Sequence, residues 1–291
     1  MTHHSSKDFK EKSAKGVFFL SALTSIFFVV LICIFLFSNG IPAIAKIGIP
    51  EFLFGSEWAP TDEPPSFGIF PMILGSLFIS FGSIFIGGSV GLFSAIYLAK
   101  FCPERAHRIL RPAIDLLAGI PSVVYGFFGL MVIVPLIRQH FGGTGACILS
   151  ASILLGIMIL PTIVSVSEAA LRAVPNHYYE GALALGDTSE RSIFRVILPA
   201  AASGISAGFV LGFGRAIGET MAVILVAGNQ ARIPESLLDG VRTLTANIAL
   251  EMGYAADLHR EALIATGTVL FAFILIINIL FSILKKKAVK C

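Results

Sequence analysis

ISAGFVLGFGRAIGETMAVILVAG, Ile205 to Gly228, decides the reading of this chain: an apolar, glycine-rich stretch long enough to cross a bilayer that nonetheless carries Arg215 and Glu219. A charge at the centre of a spanning helix costs roughly 2.5 to 3.5 kcal/mol even on insertion scales, so such residues face a protein interior or a watery cavity and mark transport paths. Spaced four apart, the two fall on one helical face, and the sequence predicts that they pair, the carboxylate neutralising the guanidinium while no ligand is present. The competing reading is a buried ion pair that only fixes helix packing. Ala200, Gly204, Gly208, Gly212 and Ala216 recur every four residues, a stripe of small side chains that lets another helix approach closely. Arg215 and Glu219 each follow a glycine of this stripe by seven residues, which turns both toward a helix interface rather than lipid. Gly87 and Gly91 offer a second, weaker contact of the same kind.

Composition agrees with a membrane protein. The chain is 56% apolar and only 13% charged, with a mean hydropathy of +0.87, against about 25% charged in soluble proteins. Six stretches approach or exceed the roughly 20 helical residues that cross a bilayer core: Val17 to Phe37, Ile69 to Leu98, Ile114 to Ile137, Ala146 to Val166, Leu198 to Gly228 and Ala262 to Leu284. The expected fold is an all-α polytopic transmembrane bundle. Ala43-Ile44-Ala45 imitates a signal-peptidase site, but Val17 to Phe37 exceeds a signal h-region of about 7 to 15 residues and reads as a retained helix.

Lys7, Lys10, Lys12 and Lys15 precede the first stretch, Lys100, Arg105, Arg108 and Arg111 follow the second, and Arg172, Arg191 and Arg195 follow the fourth. Lys285, Lys286, Lys287 and Lys290 follow the sixth, whereas only Lys46, Arg138, Arg232, Arg242 and Arg260 fall on the opposite side. The positive-inside rule therefore predicts both termini in the cytoplasm. The net charge of +3 reports orientation and contact with the lipid bilayer rather than nucleic-acid binding. The domain reading is a cytoplasmic tail at 1–16, a permease-like transmembrane domain at 17–284 and a basic cytoplasmic tail at 285–291.

Several features carry no chemistry. Cys33, Cys102, Cys147 and Cys291 are scattered, and His3 and His4 form only a weak pair, so no disulfide framework and no metal site is expected. No P-loop, HExxH or GxSxG occurs, so no catalytic residue and no cofactor is expected. If ATP drives transport, another subunit hydrolyses it. Trp58 reads as an interfacial anchor, Asp115 as a partner of a helix dipole, Glu168 with Arg172 as an ordinary ion pair, and Pro121 and Pro135 as helix starts or kinks.

Between the fourth and fifth stretches the chain reads Glu180-Gly181-Ala182, three residues, Gly186, nine residues, then Val196-Ile197-Leu198-Pro199. This resembles the EAA loop of ABC importer permeases, with Gly181 and Val196 as conservative departures; the loop region spans 172–199. The resemblance implies a short coupling helix that docks in a groove of an ATPase subunit, with Tyr179, Ala182, Leu183 and Leu185 as its apolar face and Gly186 as its end. Gly214-Arg215-Ala216-Ile217-Gly218-Glu219-Thr220-Met221-Ala222-Val223 resembles the PstC-type permease of phosphate importers. So do Arg242-Thr243-Leu244-Thr245-Ala246-Asn247-Ile248-Ala249, Gly68-Ile69-Phe70-Pro71 and Gly119-Ile120-Pro121-Ser122-Val123-Val124-Tyr125-Gly126. The likeness covers residues 67–284.

That resemblance implies a type I ABC importer fold and a heteromeric inner-membrane complex. A PstA-like permease subunit, a PstB-like ATPase dimer and a PstS-like periplasmic phosphate-binding protein are its expected partners, and inorganic phosphate its substrate. Arg215 then meets phosphate in the pathway and Glu219 holds Arg215 between transits. Other oxyanions (molybdate, sulfate, phosphonate), a secondary transporter and a phosphate-sensing membrane protein are the alternatives; a secondary transporter normally shows internal repeats and does not need an EAA-like loop.

Overall fold

The computed structural model describes residues 3–288, with side chains described for 14–281 and 283. The side chains of His3, His4, Lys7, Lys10, Lys12, Lys285, Lys286, Lys287, Lys290 and Cys291 lie outside the described residues.

Among the described residues, six helices are long and apolar enough to cross a membrane. The first, α1, runs His3–Ile47, straight through Ala43-Ile44-Ala45. After a short helix α2 (Ile49–Phe54) and a small hairpin pairing β1 (Trp58–Ala59) with β2 (Ser66–Phe67) comes α3, Phe70–Phe101. Helix α4 (Glu104–Gly119) precedes α5 (Ser122–Phe141) and α6 (Ile148–Ala173). Short α7 (Asn176–Ala184) leads to α8 (Ser189–Gly218), followed by α9 (Met221–Val226), α10 (Leu244–Glu251) and the last spanning helix α11 (Asp257–Ala288).

Proline sets several of these boundaries. The residue before proline is pushed out of the helical region by the ring, and Cys102, Ile120 and Val174 accordingly take ψ of 124°, 127° and 124° ahead of Pro103, Pro121 and Pro175. Each pair ends one helix and starts the next. The expected third span, Ile114 to Ile137, is therefore divided at Ile120-Pro121 into α4 and α5. Pro135 and Pro199, by contrast, lie inside spanning helices, just after wide π turns at Gly129–Ile133 and Ile193–Ile197. A wider turn relieves the clash between a proline ring and the carbonyl four residues earlier, so the helix continues.

Helix α6 is the most buried of the spanning helices. Against it α8 lays the predicted small-residue stripe: Gly204 faces Ala170, a methyl on Gly208 lies 3.2 Å from Ser167 Oγ, and one on Gly212 lies 3.0 Å from Ile163. On α3, Gly87 meets the backbone of Gly156, and a methyl on Gly91 lies 3.0 Å from Ile163. Both small-residue contacts read from sequence converge on α6. Helix α1 packs on α11, where Gly40 faces Thr268 and the Thr268 hydroxyl donates to the Leu36 carbonyl at 2.9 Å. Its apolar side chains, Phe18, Phe19 and Phe27 among them, are otherwise exposed. Cys33, Cys102 and Cys147 are free thiols.

Because the Gly87 contact is backbone on backbone, it has no flexible side chain to yield. Gly87→Ala is expected to cost about 1–3 kcal/mol by overpacking, read as a lower apparent melting temperature of the purified protein. Gly119→Ala, where an added methyl meets nothing within 4 Å, leaves the melting temperature unchanged. Equal behaviour of the two variants contradicts the packing described.

Candidate functional site

Glycine and threonine interrupt the apolar run that opens the sequence. Helix α8 ends at Gly218, Glu219 is extended (φ −70°, ψ 134°), and α9 starts only at Met221. The expected single helix from Leu198 to Gly228 is thus two helices with a break between them. A break leaves the last carbonyls of one helix and the first amides of the next without intrahelical partners, and at membrane depth such groups must be satisfied by protein. Here Glu219 Oε1 accepts from the backbone N–H of Thr220 (3.1 Å) and of Ala222 (3.3 Å). The Thr220 hydroxyl donates to the Gly218 carbonyl at 3.3 Å, and the Thr245 hydroxyl donates to the Glu219 carbonyl at 3.0 Å.

The predicted Arg215–Glu219 pair is consequently absent: among the described residues no ion pair joins them. The four-residue spacing places two side chains on one face only while the helix persists, and it stops at Gly218, before Glu219. Glu219 caps the break instead. The half-buried Arg215 turns to α6, where its Nη1 donates to Thr162 Oγ1 at 3.3 Å. Thr162 is 14 residues from Ile148, the start of α6, or about 21 Å along the axis at 1.5 Å per residue. The guanidinium therefore sits beside the middle of a spanning helix with a neutral hydroxyl as its hydrogen-bond partner.

At one end of the bundle, the EAA-like segment forms the short helix α7. Gly186 closes it at φ +92°, where its N–H bonds to the Leu183 carbonyl (2.9 Å) and the Asp187 N–H to that of Ala182 (3.1 Å). This is the left-handed turn that favours glycine at a helix end. The Thr188 hydroxyl then caps the start of α8 by accepting from the Arg191 N–H. Ala182 is buried and Tyr179 is half-buried on the apolar cluster that holds Ile193, so these two are withdrawn from the surface, a correction to the expected docking face. The exposed apolar residues are Tyr178, Leu183 and Leu185, the last 91% exposed. Glu180 and Gly181 are also exposed, and a methyl on Gly181 meets nothing within 4 Å, so the departure from alanine there is sterically neutral. Val196, Leu198 and Pro199 belong to α8 rather than to the loop.

Two buried carboxylates organise further charge. Glu168, 3% exposed, accepts from Arg111 Nη1 (2.6 Å) and Arg172 Nε (2.8 Å) and lies 2.8 Å from His107 Nε2. The Glu168–Arg172 pair was legible; the two α4 partners were not, although His107 and Arg111 stand four apart on one face. Asp115 pairs with Arg111 Nε at 3.1 Å and is far from the α4 amino terminus, which replaces the helix-dipole reading. Toward the α10 end, Glu251 accepts from Arg242 Nη1 (2.5 Å) and from the Trp58 indole N–H (2.9 Å), and lies 2.8 Å from His259 Nε2. Trp58 is buried against Phe67 and His259, not an exposed interfacial anchor. In the loop before α10, Asp239 accepts the N–H groups of Glu235 (2.8 Å) and Ser236 (2.9 Å), which hold its carboxyl below the usual value.

Residues 87–290 match the family described as "Binding-protein-dependent transport system inner membrane component". The chain is 41% identical over 262 residues to the "Probable ABC transporter permease protein YqgH" of Bacillus subtilis (strain 168), covering 87% of this chain and 85% of that protein. It is 35% identical over 241 residues to the "Phosphate transport system permease protein PstC" of Pasteurella multocida (strain Pm70), covering 76% and 75%. Its fold is similar, at TM-score 0.65 and 16% identity over 97% of this chain and 99% of the other, to a bacterial ABC transporter involved in the import of the acidic polysaccharide alginate. This six-span chain is a multi-pass transport subunit, not an enzyme, and it belongs to the family of binding-protein-dependent transport system inner membrane components.

Proposed function

We propose that this chain is a PstC-like permease subunit that carries inorganic phosphate through an ATP-driven importer. The observation that carries the reading is Arg215: a guanidinium beside the middle of α6, bonded to the neutral Thr162 hydroxyl and joined to no carboxylate among the described residues. A permanent cation held at that depth favours an anion, and its forked donors match phosphate oxygens. Glu219 keeps the break between α8 and α9 in place and sets a negative charge close by, which opposes overly tight capture. The relatives named PstC supply the substrate class. A PstS-like protein delivers phosphate from the periplasm, a PstA-like permease completes the pathway, and a PstB-like ATPase dimer docks on α7. In this reading the inner membrane is the location, and both termini lie in the cytoplasm, on the lysine-rich side.

ATP-dependent uptake of radiolabelled phosphate into proteoliposomes holding the assembled complex tests the function. Wild-type uptake is expected to resist excess sulfate and molybdate, and Arg215→Ala to lower it at least tenfold, equivalent to about 1.4 kcal/mol, while the complex still assembles. Undiminished uptake in the variant rules out the role of Arg215, and competition by sulfate or molybdate reassigns the substrate.

Docking through α7 has its own test. Leu185→Asp is expected to reduce co-purification of the ATPase subunit, because it places a charge on the most exposed apolar side chain of that helix end. Gly181→Ala leaves co-purification intact. Unchanged ATPase recovery with Leu185→Asp contradicts docking at this surface.

A further inference from the structure

Where α3 meets α4, a cavity of about 380 Å³ opens, lined in part by Lys100, Glu104, His107, Arg108 and Arg172. Its charge is unbalanced. Among the described residues Lys100 and Arg108 form no ion pair, and Glu104 is the one carboxylate lining the space. Arg172 uses Nε on Glu168 (2.8 Å) and Nη2 on the Leu98 carbonyl (2.9 Å), and lines the same space as Lys100. Glu168 does not line the cavity and is bonded to Arg111 as well as to His107 and Arg172.

Leu98 also lines a second, apolar groove of about 350 Å³, formed with Phe93, Tyr97, Leu110 and Ile114 from the same two helices. The two spaces share Leu98 between α3 and α4, with Lys100, Arg108 and Arg172 lining one and apolar side chains lining the other. Lys100 is next to last in the spanning helix α3, and Phe93 is seven residues deeper, about 10 Å at 1.5 Å per residue. Helix α4 has the composition of an interfacial helix: Arg105, Arg108 and Arg111 alternate with Ile109 and Leu116, each of the latter 73% exposed. Cations at the bilayer boundary above an apolar groove that descends into hydrocarbon match the two halves of one amphiphile.

We infer that these two spaces together bind a phospholipid with an anionic headgroup, its phosphate on Lys100, Arg108 and Arg172 and an acyl chain along Phe93, Tyr97, Leu110 and Ile114. Basic pockets between spanning helices recognise anionic headgroups by charge-assisted bonds to the phosphate. The assignment is independent of what the permease transports.

The test uses the assembled transporter in nanodiscs of phosphatidylcholine with and without phosphatidylglycerol, read by apparent melting temperature and by lipid retained in native mass spectrometry. Phosphatidylglycerol is expected to raise the melting temperature of wild type and to remain bound. Lys100→Gln/Arg108→Gln loses that rise and retains the lipid about tenfold less, the scale of a lost charge-assisted contact, with its melting temperature in pure phosphatidylcholine unchanged. Arg108→Gln alone, at an exposed side chain, reads the same direction if the double variant fails to assemble. Arg105→Gln, outside the cavity, keeps the full effect and excludes general surface charge. An equal rise in the double variant, or loss of the rise in Arg105→Gln, overturns the proposal. So does inorganic phosphate reproducing, in phosphatidylcholine alone, a rise that the double variant abolishes, since the site then takes a free anion.

Discussion

A cation held at membrane depth must have its charge and its donors answered by protein, water or ligand, and the arrangement around Arg215 follows from how this chain meets that requirement. The helix that carries Arg215 stops three residues later, at Gly218. Stopping there removes Glu219 from the helical face and with it the simplest neutralising partner. The carboxylate turns to the amides of Thr220 and Ala222, and Thr245 reaches in from α10 to the Glu219 carbonyl. The break is thus satisfied without the arginine, and the guanidinium is left facing Thr162 on α6.

Close helix approach makes this possible. Gly204, Gly208 and Gly212 bring α8 against Ala170, Ser167 and Ile163 of α6, so Arg215, one turn beyond the last of them, is delivered to the same helix. Gly87 against Gly156 fixes α3 on α6 by backbone contact. At the two ends, Glu168 ties α4 to α6, and Glu251 ties the β1 edge, the loop before α10 and the start of α11 together. Each is a buried carboxylate with two or more donors, the condition under which a buried charge is tolerated. Breaking either removes partners from more than one element at once.

The spans, the glycine stripe and the α7 turn were legible because each is written locally, as an apolar run, a four-residue repeat or a glycine after a short helix. Other readings failed for physical reasons. Glu219 turns its carboxylate onto the Thr220 and Ala222 amides that start the next helix, a local cap that the apolar run around it masked. The docking face of α7 was drawn from residue type, but Tyr179 packs on the apolar cluster that holds Val174 and Ile193, and Ala182 is buried. Beyond Arg172, which is four residues from Glu168, the partners that tie Glu168 and Glu251 to other elements could not be read locally: His107 is 61 residues from Glu168, and Trp58 is 193 from Glu251. His107 and Arg111, four apart beside Ile109 and Leu110, mark one polar face of α4 without saying what it meets.

The most direct measurement is a cryo-electron microscopy map of the assembled transporter, loaded with phosphate and trapped during transport. Phosphate density is expected within about 3 Å of the Arg215 guanidinium, with Glu219 still bonded to the amides that start α9. Phosphate elsewhere in the pathway, together with Arg215 bonded to Glu219 across a continuous helix, contradicts it.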